Sequence, residues 1–349
     1  MKKNKKFFAL MLSIALGVSM AACGGSTAGN VTSTTTASSG QKETAAPTAA
    51  AAATAAATTA AAAQTSGKAS GKSVSILTPY LSSVTTKQMC DSIQSGLKAN
   101  GIESTVVDTK NDFGALANRI EDVVNAKTGA IILVSADPNQ VKTQLQEAFD
   151  AKIPVFGCDS GFIDGMQVNA TSDNYQMGKD MCKYLFEDLM NKKGTVIALT
   201  YRPHPGVVKR CVAFDDMIKN YPDIKLITEQ QVDVPAGPIE SARKIMENLI
   251  LSNSEKGSIT AVYAAWDEPA IGATQALQAA GRDEVIVTGV DGNSQAVDLI
   301  NKGSNLKATM AQNFDGMSKI VVDNVTDLLS GKTIETGEKY APANLIKKE

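Results

Sequence analysis

The sequence predicts an α/β protein of two units, each a parallel sheet flanked by helices, with an N-terminal segment outside the fold. From Lys72 onward, short β-branched runs alternate with longer segments of helical period. Strands separated by helices of about 10–15 residues imply right-handed crossovers and therefore parallel sheets. Ten or so such strands in roughly 277 residues (349 − 72) divide better between two sheets than they fit into one.

Residues 1–22 read MKKNKKFFALMLSIALGVSMAA. Lys2, Lys3, Lys5 and Lys6 precede an apolar run from Phe7 to Met20, which is too short to span about 30 Å of hydrocarbon. Small residues and then Cys23 follow, as in a bacterial lipobox. Residues 1–22 are therefore expected to be a lipoprotein signal peptide and Cys23 the lipidated N-terminus of the mature chain. Residues 24–72 hold 17 Ala, 11 Thr, 6 Ser and 6 Gly among 49 positions. With no aromatic and only Val31 as a larger aliphatic, they cannot bury enough surface to offset their ordering entropy. Residues 23–72 are expected to be a flexible, lipid-anchored linker that holds a folded body off a membrane.

In the body, strands are expected at Val74–Leu77, Ser104–Val107, Ala130–Val134 and Pro154–Gly157, with helices at Thr85–Asn100, Asp112–Lys127 and Pro138–Ala151. The pattern then repeats. Strands at Thr195–Leu199, Lys225–Thr228, Ala261–Ala264 and Val285–Val290 alternate with helices near Gly178–Met190, Val207–Asn220, Pro238–Leu251 and Glu268–Ala280. Each half is thus a Rossmann-like lobe.

Composition narrows the function. Thirty-four Lys and Arg against 36 Asp and Glu give a net charge of −2, which argues against a nucleic-acid partner. His204 is the only histidine, so a His-based metal site and a Ser-His-Asp mechanism find little support, and no cofactor or metal is expected. Cys90, Cys158, Cys182 and Cys211 lack zinc spacing and lie in apolar runs or helical patterns. They read as buried free thiols, with two disulfides as the alternative.

Ligands of open parallel sheets bind beyond the carboxyl ends of the strands. Those positions carry Thr78, Tyr80 and Ser82; Asp159 and Ser160; Tyr201, Arg202 and His204; Trp266 and Asp267; and Asp291. Carboxylates accept hydrogen bonds from vicinal hydroxyls, arginine donates to ring oxygens, and aromatic faces cover C–H patches, a chemistry suited to a sugar or polyol. Simpler roles compete with this one. Asp267 and Asp291 could cap the helices they precede, Trp266 could be core, and His204 reads as a turn residue.

Five segments in order strengthen the reading: IPVFGCDSG (153–161), ATSDNYQMG (170–178), WDEPAIGATQALQAAG (266–281), VIVTGVDGN (285–293) and LKATMAQNFDGMSK (306–319). They resemble the bacterial periplasmic sugar-binding proteins of the ribose/galactose type, over nearly the whole body. The resemblance implies a periplasmic-binding-protein type I fold, two Rossmann-like lobes with parallel sheets joined by a three-strand hinge. The lobes would be 73–172 with 313–339, and 173–312 with 340–349. By position it adds Arg210 and Gln312 to Asp159 and Asp291 as ligand-binding residues. Two departures stand out: Ser160 and Trp266 occupy positions where ribose binders carry arginine and asparagine. Arg202 is a candidate replacement for the missing guanidinium.

The function so implied is that of an extracytoplasmic solute-binding lipoprotein, not an enzyme. It would act as a monomer, held at the cell membrane through Cys23. It would capture a small carbohydrate by hinge closure and deliver it to an ABC permease. A ligand sensor of the same fold, signalling to a membrane receptor or histidine kinase, is the alternative.

Overall fold

The computed structural model describes residues 73–349; the signal-peptide and linker expectations, Cys23 included, lie outside the described residues. The first half runs β1 (Val74–Thr78), α1 (Val84–Ala99), β2 (Ser104–Asp108), α2 (Phe113–Asn125), β3 (Ala130–Val134), a short 3-10 turn, α3 (Lys142–Asp150), β4 (Val155–Cys158) and β5 (Val168–Thr171). The second runs α4 (Asn174–Lys183), one π-helical stretch at Tyr184–Leu189, β6 (Gly194–Thr200), α5 (Pro205–Ile218), β7 (Ile224–Gln231) and α6 (Pro238–Ser252). It continues through β8 (Ala261–Ala264), α7 (Asp267–Ala279), β9 (Ile286–Asp291), α8 (Ser294–Asn301) and β10 (Leu306–Ala311). The chain ends with α9 (Phe314–Leu329), β11 (Gly337–Tyr340) and β12 (Asn344–Lys347).

Two six-stranded sheets result, in the orders β11-β5-β4-β3-β1-β2 and β12-β10-β9-β8-β6-β7. The chain passes from the first sheet to the second after β5, returns between β10 and α9, which packs on α1, and passes over again between β11 and β12. All three passages lie at the same edge of the two sheets, the edge of β5, β11, β10 and β12. The opposite edges, β2 and β7, are therefore furthest from the hinge.

β1 and β3 are buried along their whole length, as continuous apolar strands covered by helices on both faces should be. Each first-lobe face has its own apolar cluster, around Met89, Phe156 and Val321 on one side and Leu116, Leu133 and Leu145 on the other. Side-chain caps fix several helix starts: Asp112, Asp173, Asn293 and Asn313 accept from Ala115, Gln176, Ala296 and Gly316 backbone N–H groups at 2.8–2.9 Å. The cap at Asp173 starts α4 earlier than its apolar periodicity indicates.

The structure adds elements that the runs do not reveal. These are β5, β10, β11, β12, α8 and α9; GEKY of β11, for one, has no β-branched residue. β12 also breaks the all-parallel expectation, pairing antiparallel with β10 as a final edge strand. Cys90, Cys158, Cys182 and Cys211 are buried and unpaired, and burial pushes the Cys90 and Cys211 thiols up to about 12.

Candidate functional site

A narrow cavity of about 50 Å³ lies between the carboxyl ends of the two sheets. The first lobe supplies Tyr80 and Ser83 from the β1–α1 loop, Thr85 and Thr86 from the first turn of α1, Ser135 beyond β3 and Asp159 beyond β4. The second supplies Tyr201 and His204 after β6, Val207 and Arg210 on α5, and Val234 and Pro238 after β7. Trp266 and Glu268 follow β8, and Asp291 ends β9.

Ser135, Asp159 and Asp291 reach the cavity through left-handed backbone, with φ of +58°, +47° and +129°. Residues with a Cβ seldom adopt this conformation, and each instance costs of order 1–3 kcal/mol. Strain of this kind turns the end of each strand so that its polar side chain faces the cleft.

Arg210 is the pivot of the charged end. It is almost wholly buried, and its Nε donates to Asn174 Oδ1 at 2.8 Å while Nη1 donates to the Ala265 carbonyl at 2.9 Å and to Asp291 Oδ1 at 3.1 Å. Gln312 Nε2 donates to the same Asp291 oxygen at 2.9 Å. Gly178 permits this packing. A Cβ there would stand 2.8 Å from Ala213 Cβ and 2.9 Å from Arg210 Cα, so α4 and α5 could not close as they do. Across the cleft, Asp159 Oδ1 accepts from Thr171 at 3.4 Å, and burial pushes its carboxyl up to about 7, helped by Asp291 and opposed by Arg210. Burial likewise raises Asp291 and Glu268.

His204 is both a turn residue and a wall of the cavity. Its Nδ1 caps α5, accepting from the Gly206 and Val207 N–H groups at 3.1 and 3.3 Å, and burial lowers the ring to about 3. A neutral ring whose Nδ1 accepts carries its hydrogen on Nε2. That atom stands 3.9 Å from Asp159 Oδ2, too far for a hydrogen bond.

Aromatic rings form a continuous flank. Tyr80, Tyr201 and Trp266 follow one another at centroid separations of 6.0 and 6.3 Å, and Tyr80 also lies 5.9 Å from His204. The lobes touch here: the Tyr80 and Tyr201 hydroxyls are 3.4 Å apart, and Tyr201 donates to Asn111 Oδ1 at 3.0 Å. Glu268 accepts from Ser83 at 3.0 Å and from the Trp266 indole at 3.3 Å. Tyr80 is even part of the second lobe's apolar cluster.

Of the residues expected from the sequence, Tyr80, Asp159, Arg210, Trp266 and Asp291 line the cavity together. Gln312 stands behind them on Asp291. Thr78 accepts from the Tyr80 backbone N–H, Ser160 donates to the Ala136 carbonyl, and Ser82 is exposed, so these three do not reach the cavity. Arg202 does not supply the missing guanidinium. Its fork is held outside by Glu229 at 2.7 and 2.9 Å and by Asp215 at 3.0 Å. Neither Asp267 nor Asp291 caps a helix; Asp267 accepts from Thr309 Oγ1 at 2.7 Å and from the Asn293 N–H at 2.8 Å, tying the start of α7 to β10 and to the loop before α8.

Ser83, Thr85 and Thr86 continue the polar loop that begins at Thr78 after the first strand, whereas Ser135, Val207, Val234, Pro238 and Glu268 are not singled out by the sequence reading. Ser135 directly follows the AIILV strand, so the strand-end rule would have found it. Among the described residues, no group of three His, Cys, Asp or Glu side chains is arranged to hold a metal ion.

Comparison with known proteins agrees with this architecture. Residues 74–333 match the family model described as a periplasmic binding protein domain. The ribose import binding protein RbsB of Bacillus subtilis is 27% identical over 245 residues, 70% of this chain and 77% of that protein. The D-apiose import binding protein of Actinobacillus succinogenes is 29% identical over 241 residues, 68% and 76% of the two chains. A solved ABC transporter solute binding protein from Agrobacterium vitis, with bound allitol, is 31% identical and has a TM-score of 0.75, covering 80% of this chain and 97% of that one. The chain belongs to the periplasmic binding protein family, alongside the sugar-import binding proteins of ABC transporters, and has the type I fold of two parallel-sheet lobes.

Proposed function

We propose that this protein captures a monosaccharide or polyol in the cleft between its lobes and passes it, unaltered, to an ABC importer. The observation that carries this reading is the pairing of buried carboxylates across one cavity. Asp159 comes from the first lobe and Asp291 from the second, with Arg210 and an aromatic flank beside them. A ligand hydroxyl seated beside Asp159 Oδ2 and His204 Nε2, which stand 3.9 Å apart, would donate to the first and accept from the second and so bridge the two lobes. Contacts drawn from both lobes favour the closed form, which is the form offered to a permease. Binding and release need no bond to break, so no enzymatic step is proposed.

The relatives that bind ribose, apiose and allitol support a small polyhydroxylated ligand. The leader pattern ending in Cys23 and the Ala/Thr-rich stretch support a chain tethered outside the cell membrane by lipid. Isothermal titration of the purified full chain against pentoses, hexoses and their alditols tests the reading. One or more should bind in the micromolar range or tighter and be recovered unchanged. Conversion of the ligand, or no binding across the panel, would overturn it.

A further inference from the structure

The cavity is not uniform along its length. The charged groups Asp159 and Asp291 end β4 and β9, the strands next to the hinge edge, and Arg210 is bonded there. Residues from the strands further out are different in kind. Tyr80 follows β1, Tyr201 follows β6, and Val234 and Pro238 follow β7, the strand furthest from the hinge, with Val207 beside them at the start of α5. Apart from His204 Nε2, which faces Asp159, the polar tips of this outer half are bonded within the protein: Ser83 donates to Glu268, and Thr86 meets Ser135. The Tyr80 and Tyr201 hydroxyls meet each other, and Tyr201 also bonds Asn111. Val207, Val234 and Pro238 have no side-chain polar atom to offer.

Resting on the reading of the cleft as a carbohydrate site, we propose that the ligand is a deoxygenated sugar. Its hydroxyls face the hinge-side carboxylates, and an alkyl end packs against Val207, Val234 and Pro238. A terminal hydroxyl pressed against these aliphatic groups would lose its water without gaining a partner. A methyl group in the same place buries apolar surface at no such cost.

Titration of the full chain with matched pairs tests this: ribose, arabinose, xylose and lyxose against their 5-deoxy counterparts, and the common aldohexoses against their 6-deoxy counterparts. In the best-bound configuration the deoxy sugar should bind at least about fivefold more tightly than its parent. Val234→Thr keeps the shape and adds a hydroxyl, and should remove most of that preference; Val207→Thr provides the same test on a second element. Parent sugars that bind as tightly as their deoxy partners would overturn the inference while leaving carbohydrate capture standing. Absence of binding by every member and by the corresponding alditols would overturn both.

Discussion

Arg210 and Asp291 form an ion pair at 3.1 Å whose side chains are only 2% and 7% exposed. No other carboxylate pair with lysine or arginine among the described residues is sealed so completely on both sides. Removing one partner from such a pair leaves the other charged and buried. Asp291→Ala should therefore cost about 3–5 kcal/mol of stability as well as abolishing ligand binding. The double variant Arg210→Met/Asp291→Leu should recover much of that stability without recovering binding. Urea denaturation and titration calorimetry on both proteins check the two halves of the claim.

Asp159 gives the ligand-free protein a pH signature. Its folded carboxyl titrates at about 7 against an ordinary 3.8, because burial disfavours the charge. The folded state then holds a proton that the unfolded chain has released, so this group lowers stability as pH rises from about 4 to about 7. His204 acts in the opposite sense. Its ring falls from 6.5 to about 3, so stability from this group is present above 6.5 and is lost as pH falls toward 3. Relative to the parent, Asp159→Asn should gain stability between pH 5 and pH 8, by at most about 1.4 kcal/mol per pH unit in the window. His204→Asn should show its relative gain at the acid end. Denaturation midpoints at pH 4, 5, 6, 7 and 8 read both signs, and a flat difference for Asp159→Asn would refute the assignment.

Trp266 is the chain's single tryptophan, and it lines the cavity. All tryptophan emission therefore reports on the cleft. A bound ligand should shift or quench it in proportion to occupancy, and Trp266→Ala should weaken binding by tenfold or more. A silent emission spectrum alongside calorimetric binding would place the ligand elsewhere.

Arg202→Ala should leave ligand affinity unchanged and alter stability by about 1 kcal/mol or less, since its partly exposed bonds to Glu229 and Asp215 lie outside the cavity. Gly178→Ala should do the reverse of harmless. Pushing α4 off Ala213 and Arg210 costs about 1–3 kcal/mol of overpacking and displaces the guanidinium, so affinity should fall with stability. Paired melting and titration curves distinguish the two outcomes.

The contrast between Arg202 and Arg210 shows what was legible in the chain. Strands with β-branched runs such as Ala130–Val134 declare themselves, and so do the polar residues that follow them, which is how Asp159, Trp266 and Asp291 could be read. Arg210 sits mid-helix, and no local pattern marks it; only its place in a familiar segment did. Arg202 satisfies the strand-end rule, but carboxylates on β7 and α5, distant in sequence, divert its fork. Val234 and Pro238 were invisible for a different reason. Aliphatic residues after a strand look like ordinary loop or core, and only the facing lobe turns them into a wall.

Tyr80 belongs by chain to one lobe and by packing to the other, with just 4% of its surface reached by water. Swinging the halves apart must pull that ring from its bed and wet it. On the proposed mechanism the barrier to release would be carried partly by a side chain that grips the opposite jaw, so trimming Tyr80 should speed ligand escape as well as remove part of the cavity wall.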